Sequence, residues 1–170
     1  MKNISFRNDV LPLKNVLYRL ALRITLNREE AEDIVQDTLM KVWDRRDDWQ
    51  DIDSIEAFSL TICRNLSLDR MKRAGASNRP IGDGEALTAD TGGDPYEHAA
   101  GKDRVEQVKR IVDLLPEKQK SCMQLRDFEG KSYKEIAQVM GITEEQVKVN
   151  IFRARQAVKQ KYNEIDRYGL

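Results

Sequence analysis

Residues 74–103 divide this chain. They hold six of its nine glycines and two of its four prolines and show no apolar periodicity. On both sides, apolar residues recur every three or four positions, the spacing that places them on one face of a helix. Over 10–26 these are Leu13, Leu17, Leu20 and Ile24, and from Arg28 they are Ala31, Ile34, Val35, Thr38, Leu39 and Val42. A third helix is expected from the stretch DSIE, with Asp53 as cap and Glu56 reaching back; it carries Ile55, Phe58, Ile62 and Leu66. Beyond the divide, Val105, Val108, Val112 and Leu115 share a face up to Pro116, and a helix over roughly 117–127 stops before Gly130. No segment alternates as a strand would. The pattern predicts an all-α fold of two small helical domains: a bundle over 1–73, a flexible acidic linker over 74–103, and a four-helix module over 104–170.

The formal net charge of zero conceals unlike parts. Residues 1–73 carry 13 basic and 13 acidic residues, 74–103 carry 2 and 6, and 104–170 carry 14 and 10. Such asymmetry points to separate partners for separate segments. No run of about 18 apolar residues suggests membrane insertion, and the N-terminal MKNISFRNDVLPLKN lacks the apolar core of a secretory signal. The two cysteines, Cys63 and Cys122, sit in apolar helical contexts and are expected as buried reduced thiols, which places the chain in the cytoplasm. With His98 as the single histidine, no metal site, cofactor site or nucleophile–base pair is expected, and no enzymatic activity. The glycines of GDGEAL and TGGDP lack the Gly-Lys-Ser/Thr ending of a phosphate loop.

Between Ser132 and Gln156, two helix starts can be read directly. Ser132 with Glu135 and Thr143 with Gln146 are capping-box pairs, and Gly141 between them suits a left-handed turn. Ile136, Ala137 and Met140 form the inner face of one short helix, and Val147, Ile151, Ala154 and Val158 that of the next. This is the pattern of a helix-turn-helix. After the first-turn acids Glu144 and Glu145, which complement the helix dipole, its second helix carries Lys148, Arg153, Arg155, Lys159 and Lys161 with no further acid before Glu164. An ordinary solvated face mixes signs, so this one suits DNA. Gln146, Lys148 and Asn150 are expected to face base edges, with Arg153, Arg155, Lys159 and Lys161 on phosphates.

In the N-terminal half the inward stripe of the second helix leaves Glu32, Asp33, Gln36, Asp37 and Met40 pointing outward, an acidic ridge ending in a soft apolar residue. The third helix is expected to expose Thr61, Arg64, Asn65, Arg70, Lys72 and Arg73. Trp43, Trp49 and Phe58 are expected in the core, although aromatics beside basic groups can also stack unpaired bases. A plain helix-turn-helix regulator would account for 104–170, but not for this ridge or for the basic CRNLSLDRMKR.

Taken together, EEAEDIVQDTLMKVW, AFSLTICRNLSLDRMKR and LPEKQKSCMQLRDFEGKSYKEIAQVMGITEEQVKVNIFRARQAV resemble, in order and separation, an extracytoplasmic-function RNA polymerase sigma factor of the bacterial primary sigma superfamily. The resemblance implies that Asp33, Gln36, Asp37 and Met40 dock on the clamp helices of the core polymerase β′ subunit. It implies that Arg64, Asn65, Asp69, Arg70 and Arg73, with Thr61 and Lys72 on the same helix, meet the minus-ten promoter element. The loop from Trp49 to Asp53 would capture a flipped base, and the helix over 141–159 would read the minus-thirty-five element. A sequestering anti-sigma factor is implied as a further partner. The acids Asp83, Glu85, Asp90 and Asp94 would let the linker mimic nucleic acid near the RNA exit path. The chain departs from the family pattern at Phe58, Ser59, Lys120, Val149 and Asn150, where Trp, Leu, Arg, Ser and Arg are usual.

Overall fold

The structure, a computed structural model, describes residues 3–76 and 100–168. His98 and the linker acids Asp83, Glu85, Asp90 and Asp94 lie outside the described residues. After a wide turn at Phe6–Val10 and a 3₁₀ turn at Leu11–Leu13, three helices follow: α1 (Lys14–Thr25), α2 (Arg28–Asp44) and α3 (Ile55–Ala76), with a 3₁₀ turn at Arg46–Asp51 before α3. The second half holds α4 (Ala100–Asp113), α5 (Glu117–Met123) running into a wide turn at Gln124–Phe128, α6 (Tyr133–Met140) and α7 (Glu144–Tyr168). Helix thus continues to residue 76 and resumes at 100, three and four residues inside the expected linker boundaries.

Local chemistry sets the helix ends. Asn27 caps α2 by accepting from the Glu30 N–H at 3.0 Å, and Leu26, at φ 57°, makes the tight turn that reverses the chain from α1. The cap of α3 falls one residue later than expected. Ser54 Oγ accepts the Ala57 N–H at 3.1 Å, and Glu56 turns to Lys131 at 2.6 Å instead of reaching back. Ser and Asp are equally good caps, so the choice between them was decided by where the helix packs.

The expected stripes of α1 and α2 face the core, whereas Ile55, Phe58, Ile62 and Leu66, expected inside on α3, are only half-buried and Ala57, Leu60 and Cys63 take the inner face. Leu17, Leu20 and Ile24 of α1 meet Ala31, Ile34 and Val35 of α2 and Ala57, Leu60 and Cys63 of α3. Small residues let α3 lie close. Ser59 and Ser67 are fully buried, and each hydroxyl donates to its own helix, to Ile55 O at 2.7 Å and Cys63 O at 2.8 Å. A second cluster joins Val10, Val42 and Trp49, with the Trp49 indole N–H on Val42 O at 3.1 Å. In the other half, Val112, Met123 and Ala154 form a third, flanked by Val108, Leu115 and Val158. Val105, expected on that inner face, is 53% exposed and lines an open groove with Val108, Met123, Phe128, Val158 and Tyr162.

The halves do not stand apart. The main cluster runs on from α3 into Cys122, Leu125, Ile136, Val139, Met140, Val147 and Ile151. Ion pairs line the seam: Arg19 to Glu129 at 2.6 Å, Arg23 to Asp113 at 2.6 Å, Arg64 to Glu117 at 2.7 Å and Lys131 to Glu56 at 2.6 Å. Arg23 also donates to Gln124 Oε1 at 2.8 Å and lies over the Phe128 ring. No described helix is long and apolar enough to cross a membrane.

Candidate functional site

Two surfaces carry the chemistry, one in each half. On α2 the stripe of Ala31, Ile34, Val35, Thr38 and Val42 faces the core, which turns Glu32, Asp33 and Gln36 fully outward and leaves Asp37 half-buried. Met40 is 66% exposed at the end of this ridge. Trp43 stands beside it at 45% exposure and so is not core. Its ring meets Phe6 and Trp49 edge-on, at 5.4 and 6.2 Å between centroids, and Arg46 lies 4.5 Å above it. Phe6, Leu39, Met40, Trp43 and Asp44 line a groove there. The surface therefore passes from acidic to apolar within three turns of one helix. The position of Trp43 was available from its i+3 spacing to Met40, which puts both on the outer face.

From α3, Arg70 reaches across to this ridge. Its guanidinium pairs with Glu30, with Asp33 at 2.5 Å and with Asp37 at 3.1 Å, and the hydrogen bonds to Asp33 and Glu30 raise its pKa further above the usual arginine range. One cation thus holds three acids in register, joining residues expected on two different surfaces.

The remaining α3 residues divide. Asn65, Asp69, Lys72 and Arg73 are exposed, with Arg73 paired to Asp69 at 3.1 Å one turn back. Thr61 is half-buried and donates its hydroxyl to Ala57 O at 2.7 Å. Arg64, expected to be exposed, is buried at 8%. It donates from Nη2 and Nε to the Glu117 carboxylate at 2.7 and 3.1 Å, and from Nη1 to Met140 O at 3.4 Å. Its helical phase matches Ala57 and Leu60, the face that meets α5 and α6, so the seam covers it. In the neighbouring loop, Trp49 is buried and Asp51 and Asp53 are exposed.

In the second half the helix-turn-helix forms as read. Ser132 Oγ accepts the Glu135 N–H at 3.1 Å. Gly141 takes φ 67°, and Thr143 and Gln146 exchange backbone and side-chain bonds at 3.0 and 3.1 Å. Val147, Ile151 and Ala154 are buried. Lys148 lies 5.6 Å from the Tyr133 ring and 3.7 Å from Glu145, and Asn150 donates to Gln146 O at 2.8 Å. Arg155 is held by Asp127 at 2.5 and 3.0 Å, which raises its pKa. Arg153 and Lys159 are exposed, with no ion-pair partner among the described residues. Val149 and Phe152, outside the expected set, are also exposed on this helix, at 44% and 63%. No cluster of metal-binding side chains occurs among the described residues.

Family models match both halves: Sigma-70 region 2 over residues 10–77 and Sigma-70, region 4 over residues 106–158. The ECF RNA polymerase sigma factor SigE of Mycolicibacterium smegmatis is 30% identical over 154 residues, covering 84% of this chain and 56% of that protein. The chain thus spans little more than half the length of SigE. The ECF RNA polymerase sigma factor EcfG of Rhodopseudomonas palustris is 29% identical over 152 residues, covering 89% of this chain and 81% of that protein. Among solved structures, the sigma factor RpoE from Bartonella quintana, in complex with the anti-sigma factor NepR, superposes with a TM-score of 0.72 at 24% identity, covering 95% of this chain and 98% of that one. CnrH, in complex with the cytosolic domain of CnrY, gives 0.65 at 20% identity, covering 94% of this chain and 88% of that one. At these identities the structural likeness is one of fold.

Proposed function

The chain belongs to the extracytoplasmic-function sigma factors of the sigma-70 family, and we propose that it binds core RNA polymerase through the α2 ridge and directs promoter-specific initiation in the cytoplasm. The observation that carries this reading is the pairing, on one chain, of an acidic-to-apolar docking ridge with a helix-turn-helix whose second helix is basic and free of acid from Gln146 to Asn163. Asp33, Gln36, Asp37, Met40 and Trp43 dock on the β′ clamp helices. Asn65, Asp69, Lys72 and Arg73 offer the open part of the minus-ten surface, and α7 enters the major groove of the minus-thirty-five element. No residue does bond chemistry; the polymerase does.

Geometry adds a requirement. Two elements about 25 base pairs apart are separated by about 85 Å along B-DNA. A compact chain of this length has a radius of gyration of only about 15 Å. The closed arrangement therefore spans one element at a time, and both are engaged only after the seam parts on the polymerase. Arg64 then loses Glu117 and becomes available to DNA. An anti-sigma factor, as NepR is for RpoE, would act by keeping these faces from polymerase and promoter.

The test is run-off transcription with core polymerase and genomic promoter fragments. The purified chain should confer selective starts that core alone lacks, and uniform starts with and without it would refute the reading. A dimer that binds duplex DNA tightly without polymerase would favour a conventional regulator.

A further inference from the structure

The exposed face of α7 departs from the expected set of base-reading residues. Val147, Ile151 and Ala154 are buried. At about 100° per residue, the direction farthest from them falls on Glu145, Val149, Phe152, Arg153 and Gln156. Gln146 and Asn150 lie toward the flank, and both have committed polar atoms to their own helix. The Gln146 side-chain oxygen accepts the Thr143 N–H at 3.0 Å, and the Asn150 amide donates to Gln146 O at 2.8 Å. Lys148 leans over Tyr133 on the opposite flank. What projects at the centre is an apolar pair, Val149 at 44% and Phe152 at 63% exposure, adjoining Arg153.

An apolar pair so placed offers a contact surface, and the surrounding charge points to what would cover it. Beyond Glu145 at the start of this face, five cations and no acid occupy 146–163, which suits a polyanion and opposes burial against a basic protein. In the major groove of duplex DNA, the apolar group within reach of a helix is the C5-methyl of thymine. We infer that Val149 and Phe152 are specificity-determining residues that select thymine in the upstream promoter element by enclosing its 5-methyl group, with Arg153 fixing the helix on the adjacent backbone or base edge. This rests on the proposed function, since it assigns the chemistry read by the same helix.

The experiment uses the full chain with core polymerase. An upstream element is selected from a randomised promoter library by run-off transcription, and each of its thymines is then replaced by deoxyuridine, which removes only the methyl. The wild-type chain should lose about fourfold in promoter affinity at one or two positions, equivalent to about 0.8 kcal/mol per methyl. Val149→Ala and Phe152→Ala should weaken binding to the thymine promoter and abolish the difference between thymine and uracil at those positions. Both residues are exposed, so melting temperature should stay unchanged, and Val149→Thr, which keeps a methyl, should keep part of the discrimination. Initiation by the wild-type chain that ignores every thymine-to-uracil change would overturn the inference. So would a uracil penalty that persists in both alanine variants. Failure of the wild-type chain to initiate on any library member would overturn the functional reading itself, and the inference with it.

Discussion

Replacing Glu117 by Gln tests how the two halves hold each other. The Glu117 carboxylate receives two hydrogen bonds from Arg64, at 2.7 and 3.1 Å, and one from the Ser121 hydroxyl at 2.5 Å. The Arg64 side chain is 9% exposed and that of Glu117 25%. Glutamine keeps the shape, but it removes the charge and points an amide N–H₂ at a guanidinium. Removing one partner of a fully buried pair costs about 3–5 kcal/mol, whereas an exposed pair contributes about 0.2–1 kcal/mol. With one member buried and the other a quarter open to water, and with Arg64 keeping the Met140 carbonyl, the expected loss is about 2 kcal/mol. Urea unfolding followed by far-UV dichroism should show the midpoint falling by about 1 M at an m-value near 2 kcal/mol/M. A cycle with Arg64→Ala should return a coupling of about 1–2 kcal/mol. A loss below about 0.5 kcal/mol, with additive single variants, would refute the idea that this pair clasps the seam.

Asp37→Arg should lower affinity for core polymerase at least about tenfold, while the loss of its contact with Arg70 costs about 1 kcal/mol of stability; surface-immobilised polymerase and thermal melting separate the two effects. Gly141→Ala should destabilise by about 1 kcal/mol through backbone strain alone, since φ is 67° and a Cβ there meets nothing within 4 Å; calorimetry checks this. Burial pushes the thiols of both Cys63 and Cys122 up from 9.0 to about 12. At pH 8 the folded chain should therefore react with a thiol-specific chromogenic disulfide at least about a thousandfold more slowly than the urea-unfolded chain. Because the unfolded thiols lose protons first, this contribution to stability is full below pH 9 and falls away between 9 and 12, which urea midpoints across that window, compared with a Cys63→Ala variant, would reveal.

Features that depend on near neighbours in the chain can be read from the amino-acid sequence alone. The caps at Ser132 and Thr143, the turn at Gly141 and the outward ridge on α2 each follow from residues three or four apart. The seam is not legible in this way. Arg64 and Glu117 are 53 positions apart, and periodicity reports which face of α3 is covered without reporting by what. A basic residue in a basic segment is therefore expected in solvent, though the spacing of Arg64 from Ala57 and Leu60 places it on the covered face. Trp43 departs in the other direction: an aromatic side chain suggests core on average, but its own helical phase puts it outside. The shift from Asp53 to Ser54 at the start of α3 reflects two adjacent residues of equal capping strength, resolved by packing.

Helix α7 runs unbroken for 25 residues, about 37 Å. Its far end sits beside a groove lined by Val105, Val108, Met123, Phe128 and Tyr162. Its length would amplify any change of tilt. A tilt of about 10° pivoting at Tyr162 would swing the Glu145 end through about 4 Å, more than one base-pair step of about 3.4 Å. Under the proposed function, any change at that distant groove large enough to tilt the helix this far would displace the DNA-facing end by more than one base pair.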